Sequence, residues 1–514
     1  MLNLTPLVRP WFSRMTRESR ATVSRAGAET AQRAVLARLL RRARDTEIGR
    51  RHGFSTIGDA AAFASTLPVT SYPDLRADIL RMVAGGRDIL WPGVCRRFAQ
   101  SSGTSDGKSK YVPVTDYSLR LNHYAGGAEV VASYLNLNPR SRLFAGKSFI
   151  LGGSFANEVA DLPAGVRVGD LSANLIDNIN PAINLLRIPS KQVALMPDWH
   201  EKLPRLVEAS LRADVTNISG VPSWFLTVLR GVIERAGAST IHDVWPNLEV
   251  FFHGGISFAP YESQYAAITD PARMHYLETY NASEGFFAVQ DTPRRADGMR
   301  LLLDHGVYYE FVPADRAGDP HPHALGAWQV EPGAVYEMII TACNGLWRYA
   351  IGDTVRIESV EPLRISIAGR TRSYINAFGE ELMVYNADAA LAAACRETGA
   401  SVLNYTAAPV FTTERSRGRH QWLIEWDRPP RSLDEFADVL DRCLCRENSD
   451  YQAKRAGNIF LDRLSVITAS PGLFDRWLAS TGKLGGQRKV PRLSNSRDTI
   501  DAMLRYNDNN QQTQ

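Results

Sequence analysis

Glycines, hydroxyl side chains and a lysine are concentrated in residues 100–115, which read QSSGTSDGKSKYVPVT. These residue types suit a phosphate cradle, because flexible glycines let backbone amides and hydroxyls wrap an anion. The P-loop of NTPases has four residues between its first glycine and the Gly-Lys pair, whereas three separate Gly103 from Gly107 here. The residues after Lys108 also favour a strand rather than a helix. The stretch therefore predicts a hairpin-like loop around a polyphosphate and argues against a P-loop.

Three further stretches place charged residues beside glycine or proline. They are YNASEGFF at 280–287, YAIGDTV at 349–355 and GQRKVPR at 486–492. In the first, Glu284 follows Ser283, a pairing that suits a divalent cation bridging phosphate oxygens. In the second, Asp353 follows Gly352 in what we predict to be a turn between strands. Each stretch taken alone is also consistent with an ordinary surface turn.

The composition of the chain narrows the function classes. Its 514 residues predict two to four domains, and 44% hydrophobic with 22% charged residues is ordinary for a globular protein. A formal net charge of +4 gives no case for nucleic acid binding. The five cysteines contain no CxxC pair, so we expect no disulfide framework and a reducing, cytoplasmic setting.

The N-terminal segment is rich in arginine and lacks the apolar region of a signal peptide. We predict a solvated amphipathic helix that continues through AQRAVLARLLRRARD, and we keep a transit peptide as the alternative, although Glu18 and Glu29 count against it. No apolar run approaches the length of a membrane span, so none is expected.

The elements that must position these residues follow from hydrophobic periodicity. Strand and helix patterns alternate through the first two thirds, which predicts an α/β fold with β-sheets flanked by helices. β-rich sequence follows residue 334, and the pattern resets around residues 376–382. We therefore predict a large N-terminal domain over residues 1–380 and a small C-terminal α+β domain over residues 381–514, where a capping box at Ser432 opens a helix.

The four stretches, in this order, resemble the successive motifs of the acyl acid-amido synthetases, the auxin-responsive conjugating enzymes of plants and their bacterial relatives. The resemblance extends to DTEIGRRHGF, LPVTSYPDLR, SGVPSW and GRTRSYIN, and so covers nearly the whole chain from Asp45 onward. It implies the fold of the adenylate-forming superfamily, which includes acyl-CoA ligases and luciferases. It also implies that the C-terminal domain swings about a hinge at residues 379–382.

The resemblance implies a set of ATP-binding residues, namely Ser101, Ser102, Gly103, Thr104, Ser105, Gly254, Gly255, Tyr280, Ser283, Asp353 and Arg370. The five residues from 101 to 105 would hold the β- and γ-phosphates. Lys108 is either a further cation there or a solvated loop lysine. By the same resemblance Gly254 and Gly255 permit close approach of adenine, with His253 as plausibly a packing residue.

The other implied roles concern adenine, ribose, metal and catalysis. Tyr280 would stack on adenine, Asp353 would accept the ribose hydroxyls, and Arg370 would make a second ribose or phosphate contact. Glu284 would bind Mg²⁺. Lys489, in the last motif, would be the catalytic residue that neutralises charge between carboxylate and α-phosphate. The cofactors implied are therefore ATP and Mg²⁺.

One stretch departs from the family pattern, and two others suggest a different chemistry that their surrounding residues argue against. Relatives show Tyr-Arg-x-Gly-Asp where this chain has Ala350 after the tyrosine, so a role for the preceding Arg348 is doubtful. GGSFA at 152–156 lacks the final glycine of a hydrolase nucleophile elbow. HPH at 321–323 has no further ligand at zinc spacing, which favours a solvated turn.

The expected function is adenylation of a carboxylic acid to acyl-AMP, followed by transfer to an amine, in particular an amino acid. An acyl-CoA ligase that shares the first half-reaction is the alternative, and a protein that senses ATP without turnover is a second. We expect a monomer with small-molecule substrates. Residues 181–190 and 221–230 are candidates for the acid pocket, although their apolar side chains suit a core equally well.

Overall fold

The structure is a computed structural model. It describes residues 3–19, 23–101, 110–155, 162–256, 258, 261–316, 322–370, 374–411, 417–458, 460–480 and 490–511. Several predicted site residues lie outside these ranges, namely Ser102, Gly103, Thr104, Ser105, Lys108 and Lys489. Ser101 and Arg370 are described by their backbone positions alone.

The helices of the described chain have the following bounds: α1 Thr5–Ser19, α2 Arg25–Ala43, α3 Glu47–Arg51, α4 Ala60–Thr66, α5 Tyr72–Val83, α6 Asp116–Ser118, α7 Tyr124–Leu137, α8 Leu171–Asp177, α9 Pro181–Asn184, α10 Lys191–Ala194, α11 Trp199–Leu211, α12 Pro222–Ala236, α13 Ile241–Val244, α14 Glu262–Ile268, α15 Val384–Thr398, α16 Leu433–Glu447, α17 Ser449–Arg455, α18 Leu473–Ser480 and α19 Asp498–Gln511. None of these described helices combines the length and the apolar character that a membrane crossing demands.

The strands have the following bounds: β1 Arg97–Ser101, β2 Lys110–Pro113, β3 Lys147–Ile150, β4 Arg167–Gly169, β5 Arg187–Ile188, β6 Val215–Gly220, β7 Val250–Gly254, β8 His275–Ala282, β9 Gly285–Val289, β10 Met299–Leu301, β11 Val307–Pro313, β12 Leu325–Gly326, β13 Val335–Ala342, β14 Tyr349–Val360, β15 Leu363–Arg370, β16 Tyr374–Ile375, β17 Leu382–Met383, β18 Ser401–Val410, β19 Arg419–Arg428 and β20 Ser465–Thr468.

The chain divides into two compact units. The first comprises residues 1–101, 110–258 and 265–371, and most of the second is residues 372–514. The division at Thr371 and Arg372 precedes the predicted boundary after residue 380. Within the second unit, the Glu380 carboxylate accepts hydrogen bonds from the Phe378 amide at 2.6 Å and from Nε2 of His420 at 2.8 Å. The predicted movement of this unit stays a prediction.

One mixed sheet organises the first unit. Among the described residues it contains twelve strands in the order β12-β11-β13-β14-β15-β10-β9-β8-β7-β6-β3-β5. The run β5, β3, β6, β7 and β8 is parallel, and every pairing from β8 through β9 to β12 is antiparallel. Helices between the parallel strands provide the crossovers that this arrangement requires. The predicted α/β class is confirmed.

A smaller sheet of three strands contains β1 and β2, the strands on either side of the predicted phosphate loop. β1 pairs with β2 in antiparallel register, with Ser101 opposite Lys110, and β1 pairs with β4 in parallel. The prediction of a hairpin-like connection between two strands, rather than a strand followed by a helix, is therefore confirmed for the residues that flank the loop. The next helix, α6, begins at Asp116 and is capped by the Thr115 hydroxyl.

The second unit has the predicted α+β composition. β18 pairs antiparallel with β19, which pairs in parallel with β20. The Ser432 side chain accepts a hydrogen bond from the Glu435 amide and opens α16, as predicted. α15 and α16 bury apolar faces in one core together with β18 and β19. The polar composition of residues 506–514, YNDNNQQTQ, predicts disorder, but the described part of this segment is helical in α19 up to Gln511.

Candidate active site

The carboxyl ends of the parallel strands bring four predicted site residues to one edge of the large sheet, namely Gly254, Gly255, Ser283 and Glu284. β3, β6, β7 and β8 run in the same direction, so their C-terminal ends meet at this edge. Gly254 ends β7 and Gly255 follows it, while Ser283 and Glu284 follow β8. Open α/β sheets bind ligands at this edge. The topology thus collects residues that are far apart in the sequence.

A two-residue turn holds Ser283 and Glu284. Ala282 of β8 pairs with Gly285 of β9, so only these two residues connect the strands. Nδ2 of the Asn344 side chain donates to the Glu284 backbone carbonyl oxygen at 3.0 Å. Glu284 is only 9% exposed, which differs from the surface glutamate that an ordinary turn would carry. Its position is therefore fixed on both sides by the sheet.

Asn122 secures the start of β9, and sequence reasoning missed it. Its Oδ1 accepts from the Phe286 amide at 2.6 Å, and its Nδ2 donates to the Phe286 carbonyl at 2.9 Å. The side chain thus substitutes for a neighbouring strand at one residue of β9. Because Asn122 and Phe286 are far apart in the sequence, no local signal predicts this contact.

Asp353 lies within a strand, and the prediction of a turn there is wrong. β14 runs from Tyr349 to Val360, its pairing with β13 and with β15 shifts register near Asp353, and Gly352 accommodates a φ of +89° inside the strand. Asp353 pairs with Arg370 of β15. The two residues that the sequence assigns to the ribose are therefore direct neighbours across an antiparallel pair.

Tyr280 of β8 contacts Asp353 directly. Its hydroxyl donates to Oδ2 of Asp353 at 2.5 Å, and its ring packs edge-on against Phe287 at 5.1 Å. Tyr280 is 4% exposed and Asp353 is 5% exposed. The hydroxyl fixes the carboxylate that is predicted to receive the ribose. Stacking of the Tyr280 ring on adenine stays a prediction.

The glycine at 254 has a packing reason of its own. A Cβ there would lie 2.5 Å from the Thr279 carbonyl oxygen and 2.6 Å from its hydroxyl. Gly254 is therefore needed because the backbones of β7 and β8 approach closely at this residue. The approach of adenine to Gly254 and Gly255 stays a prediction. His253 is buried and stacks on Phe258 with ring centroids 4.3 Å apart. Burial lowers the pKa of its imidazole to about 3.

Arg348 is a structural residue in this fold. Its guanidinium forms a buried two-bond ion pair with Glu310 at 3.0 and 2.9 Å. It also donates to the carbonyl oxygens of Ala64 and Leu67 at the end of α4. All these partners are protein groups that connect β11, β14 and α4, which explains why the arginine is needed before Tyr349.

The two candidate segments for the acid pocket differ in the structure. Ile183 and Leu185, in and after α9, are 53% and 71% exposed. The interior positions of α12, including Phe225 and Leu229, are buried in the core. The apolar residues of α12 beyond its first turn therefore belong to the core. Its first turn begins directly after β6, at the edge that carries the nucleotide candidates.

The chain matches three domain models of one family. They are the GH3 family N-terminal domain over residues 21–274, the GH3 family central domain over residues 300–370 and the GH3 family C-terminal domain over residues 385–498. The chain belongs to the GH3 family. Asp353 and Arg370 lie in the central match of this family, and Lys489 lies in the C-terminal match.

Curated relatives support the same family. The indole-3-acetic acid-amido synthetase GH3.8 of Oryza sativa subsp. indica is 26% identical over 90% of this chain and 88% of its own length. The indole-3-acetic acid-amido synthetase GH3.4 of Arabidopsis thaliana is 23% identical over 90% of this chain and 89% of its own. These matches span both units of the structure.

Solved structures show the same fold. The acyl acid amido synthetase AtGH3.15 in complex with 2,4-DB has a TM-score of 0.62 at 17% identity and covers 96% of this chain, with 95% of its own length matched. A 2-hydroxyisobutyryl-CoA ligase in complex with 2-HIB-AMP and CoA has a TM-score of 0.59 at 15% identity and covers 95% of this chain and 93% of its own. The predicted adenylate-forming fold is therefore confirmed.

The donor groups at this edge fit magnesium held mainly by phosphate. Within the part of the chain that the structure describes, no three His, Cys, Asp or Glu side chains gather into a metal cage. Mg²⁺ keeps several waters and takes one or two carboxylates together with substrate phosphates, so it needs no such cage. A single carboxylate in a sheet turn, such as Glu284, is the donor that this mode of binding uses.

Proposed function

We propose that this chain is an ATP-dependent acyl acid amido synthetase. The observation that carries the proposal is the buried contact of Tyr280 with Asp353, opposite Arg370, beside the sheet edge where Ser283 and Glu284 form a two-residue turn. Membership in the GH3 family, whose curated relatives are amido synthetases, supports the same reaction.

The reaction has two steps. A carboxylate oxygen of the acid attacks the α-phosphorus of ATP, and pyrophosphate leaves with the electron pair of the broken P–O bond. The nitrogen of an amino acid then attacks the acyl carbon, loses a proton, and AMP leaves. Residues 101–105 hold the β- and γ-phosphates, and Asp353 with Arg370 holds the ribose. Glu284 would hold Mg²⁺, which would supply charge neutralisation on the phosphates.

A carboxylic acid panel tests the first step, with pyrophosphate release as the readout. We expect release to depend on one class of acid. An amino acid panel on the responding acid then tests the second step, with the amide identified by mass. Thioester formation with CoA in place of the amide would assign the chain to the acyl-CoA ligases instead. ATP binding without any acid-dependent release would exclude both activities.

The setting proposed is a monomer in the cytoplasm. Cys95, Cys343 and Cys443 are buried free thiols, which suits a reducing compartment. Light scattering after size exclusion should return the 57.0 kDa mass of one chain. A mass of two chains would contradict the monomer.

A further inference from the structure

The segment at residues 152–154, part of the GGSFA stretch, leaves the large sheet at the edge described above. Ile150 of β3 pairs with Ser219 of β6, and the Leu151 amide still donates to the Ser219 carbonyl at 3.2 Å. Residues 152–154 continue beyond the end of the strand. Neighbouring strands lie about 4.8 Å apart, so this segment is about 10 Å from the end of β7, two strands away.

Side chains from two other elements bind each residue of this segment. The Lys202 ammonium of α11 donates to the Gly152 carbonyl at 2.5 Å. The Ser172 hydroxyl accepts from the Gly153 amide at 2.8 Å, and Oδ2 of Asp170 accepts from the Ser154 amide at 2.6 Å. A Cβ on Gly153 would lie 1.9 Å from Oδ2 of Asp170, so only glycine fits there. We call residues 152–154 the β3 wall.

Lys202 is unusual because it is a buried lysine. It is 1% exposed and occupies the buried face of α11 together with Leu206 and Ser210. Its ammonium lies 5.1 Å from the ring centroid of Trp199, and burial lowers its pKa to about 8. Burying an ammonium group is costly, and an apolar side chain at such a position often gives equal or greater stability. A role in positioning the β3 wall explains why a lysine is retained.

Apolar side chains also pack beside the wall, next to the polar groups that bind its backbone. Ile176 of α8 is buried against it, since a Cβ on Gly152 would lie 2.4 Å from the Ile176 Cδ1 atom. Trp199 packs edge-on against Trp224 in the first turn of α12, with ring centroids 5.1 Å apart. The nucleotide candidates occupy the ends of β7 and β8, which leaves the ends of β3 and β6 for the other substrate. An apolar surface there suits the tail of a carboxylic acid.

We propose that the β3 wall bounds the pocket for an apolar carboxylic acid and that Lys202 is the positioning residue that sets which acids fit. This inference rests on the proposed function. It assigns acid selectivity to a side chain that does not touch the nucleotide. Loss of the bond to Gly152 relaxes the wall without altering the site for ATP.

The test is Lys202→Met, which keeps an unbranched side chain of nearly the same length and removes the donor. We expect the KM of the preferred acid to rise about tenfold, the equivalent of one hydrogen bond. The KM of ATP should be unchanged and kcat should stay within about threefold. Across acids of graded tail length, the ratio of kcat/KM between the best and the next acid should fall about tenfold.

A matched control is Lys147→Met. Lys147 also donates to a backbone carbonyl, that of Leu185, but it lies at the start of β3, at the opposite end of the strand from the β3 wall. We expect its acid panel to match that of the wild type. Ser172→Ala removes the bond to Gly153 and tests the same wall should Lys202→Met fail to fold. It should shift the KM of the acid in the same direction.

The outcomes separate this inference from the proposed function. An active wild type whose acid panel is unchanged in both wall variants overturns the inference alone. Equal rises in the KM of ATP and of the acid would show a general structural role and also overturn it. A wild type that releases no pyrophosphate with any acid overturns the proposed function and the inference with it.

Discussion

At the scale of single residues, the carboxylate of Asp353 is held in place before any nucleotide arrives. Asp353→Asn keeps the shape and the bond from Tyr280 but removes the charge. Charge-assisted hydrogen bonds contribute about 1.5 to 3 kcal/mol each, so we expect the KM of ATP to rise about ten- to a hundredfold. The KM is measured from the rate of pyrophosphate release across an ATP titration. Tyr280→Phe should have a smaller effect, and a wild-type KM in Asp353→Asn would refute the ribose assignment.

The predicted role of the turn residue Glu284 in metal binding is tested by the Mg²⁺ dependence of adenylation. Glu284→Gln keeps the hydrogen-bonding shape and loses the charge that attracts a hard cation, so a higher Mg²⁺ concentration should be needed for half-maximal adenylation. Glu249→Gln is the control, because Glu249 precedes β7 at the opposite edge of the same sheet. An identical Mg²⁺ titration for wild type and Glu284→Gln would remove Glu284 from the metal site.

At the scale of elements, the buried pair of Arg348 and Glu310 joins β11 and β14 to α4. Burial raises the pKa of the Glu310 carboxyl, and the nearby Arg348 opposes that rise. Arg348→Met leaves this acid buried without its partner, so we expect a loss of about 3 to 5 kcal/mol of stability, seen as a lower urea midpoint. Arg348→Met combined with Glu310→Gln should recover part of the loss. Activity per folded molecule should change little; a large loss of kcat in folded protein would contradict the structural role.

Elements with strong periodicity could be predicted from the sequence, and single contacts across the fold could not. The β-rich sequence after residue 334, which forms β13, β14 and β15, and the helix opened at Ser432 are predicted correctly, because side-chain periods of 2 and 3.6 and helix caps are local properties. Asp353 was misplaced in a turn because glycine is both a turn signal and the residue that fits a positive φ within a strand. Lys202 was missed because its acceptor, Gly152, is distant in the sequence. The spacing of Lys202 with Leu206 and Ser210 was the available signal, since it places a lysine on a buried helix face.

At the scale of the whole molecule, two buried histidines predict acid sensitivity. Burial lowers the pKa of His123 to about 4 and that of His253 to about 3, from an ordinary value of 6.5. Between pH 6.5 and these lowered pKa values, the unfolded chain therefore binds more protons than the folded chain. Above pH 6.5 both histidines are neutral in the folded and the unfolded chain, so they do not reduce the free energy of unfolding. That free energy decreases as the pH falls from 6.5 toward 4.

The measurement is the free energy of unfolding by urea at pH 7 and at pH 5. We expect a decrease of a few kcal/mol between them, since each pKa unit corresponds to about 1.4 kcal/mol. His253→Phe retains an aromatic ring between Phe251 and Phe258 and removes the titrating group. Its loss of stability over the same interval should be smaller, and an identical pH dependence would contradict the assignment.

We predict that Lys489 links the C-terminal domain to the first half-reaction. Lys489→Ala should reduce acid-dependent pyrophosphate release by about 10²- to 10³-fold, the usual effect of removing one preorganised electrostatic contact. Amide formation from supplied acyl-AMP should be spared. Lys483→Ala, in the same segment, is the control. Equal losses in both half-reactions would instead indicate a general structural effect.

The two-residue turn between β8 and β9 also limits how the chain can change in length. One residue added after Ala282 would either lengthen the turn to three residues or force a further bulge into the hairpin, whose register already shifts between Tyr280 and Asn281. Ser283 and Glu284 would then leave the sheet edge together. Natural or engineered insertions should accumulate at other surface loops and avoid this turn, and a scan of single-residue insertions would find here an inactive but folded protein.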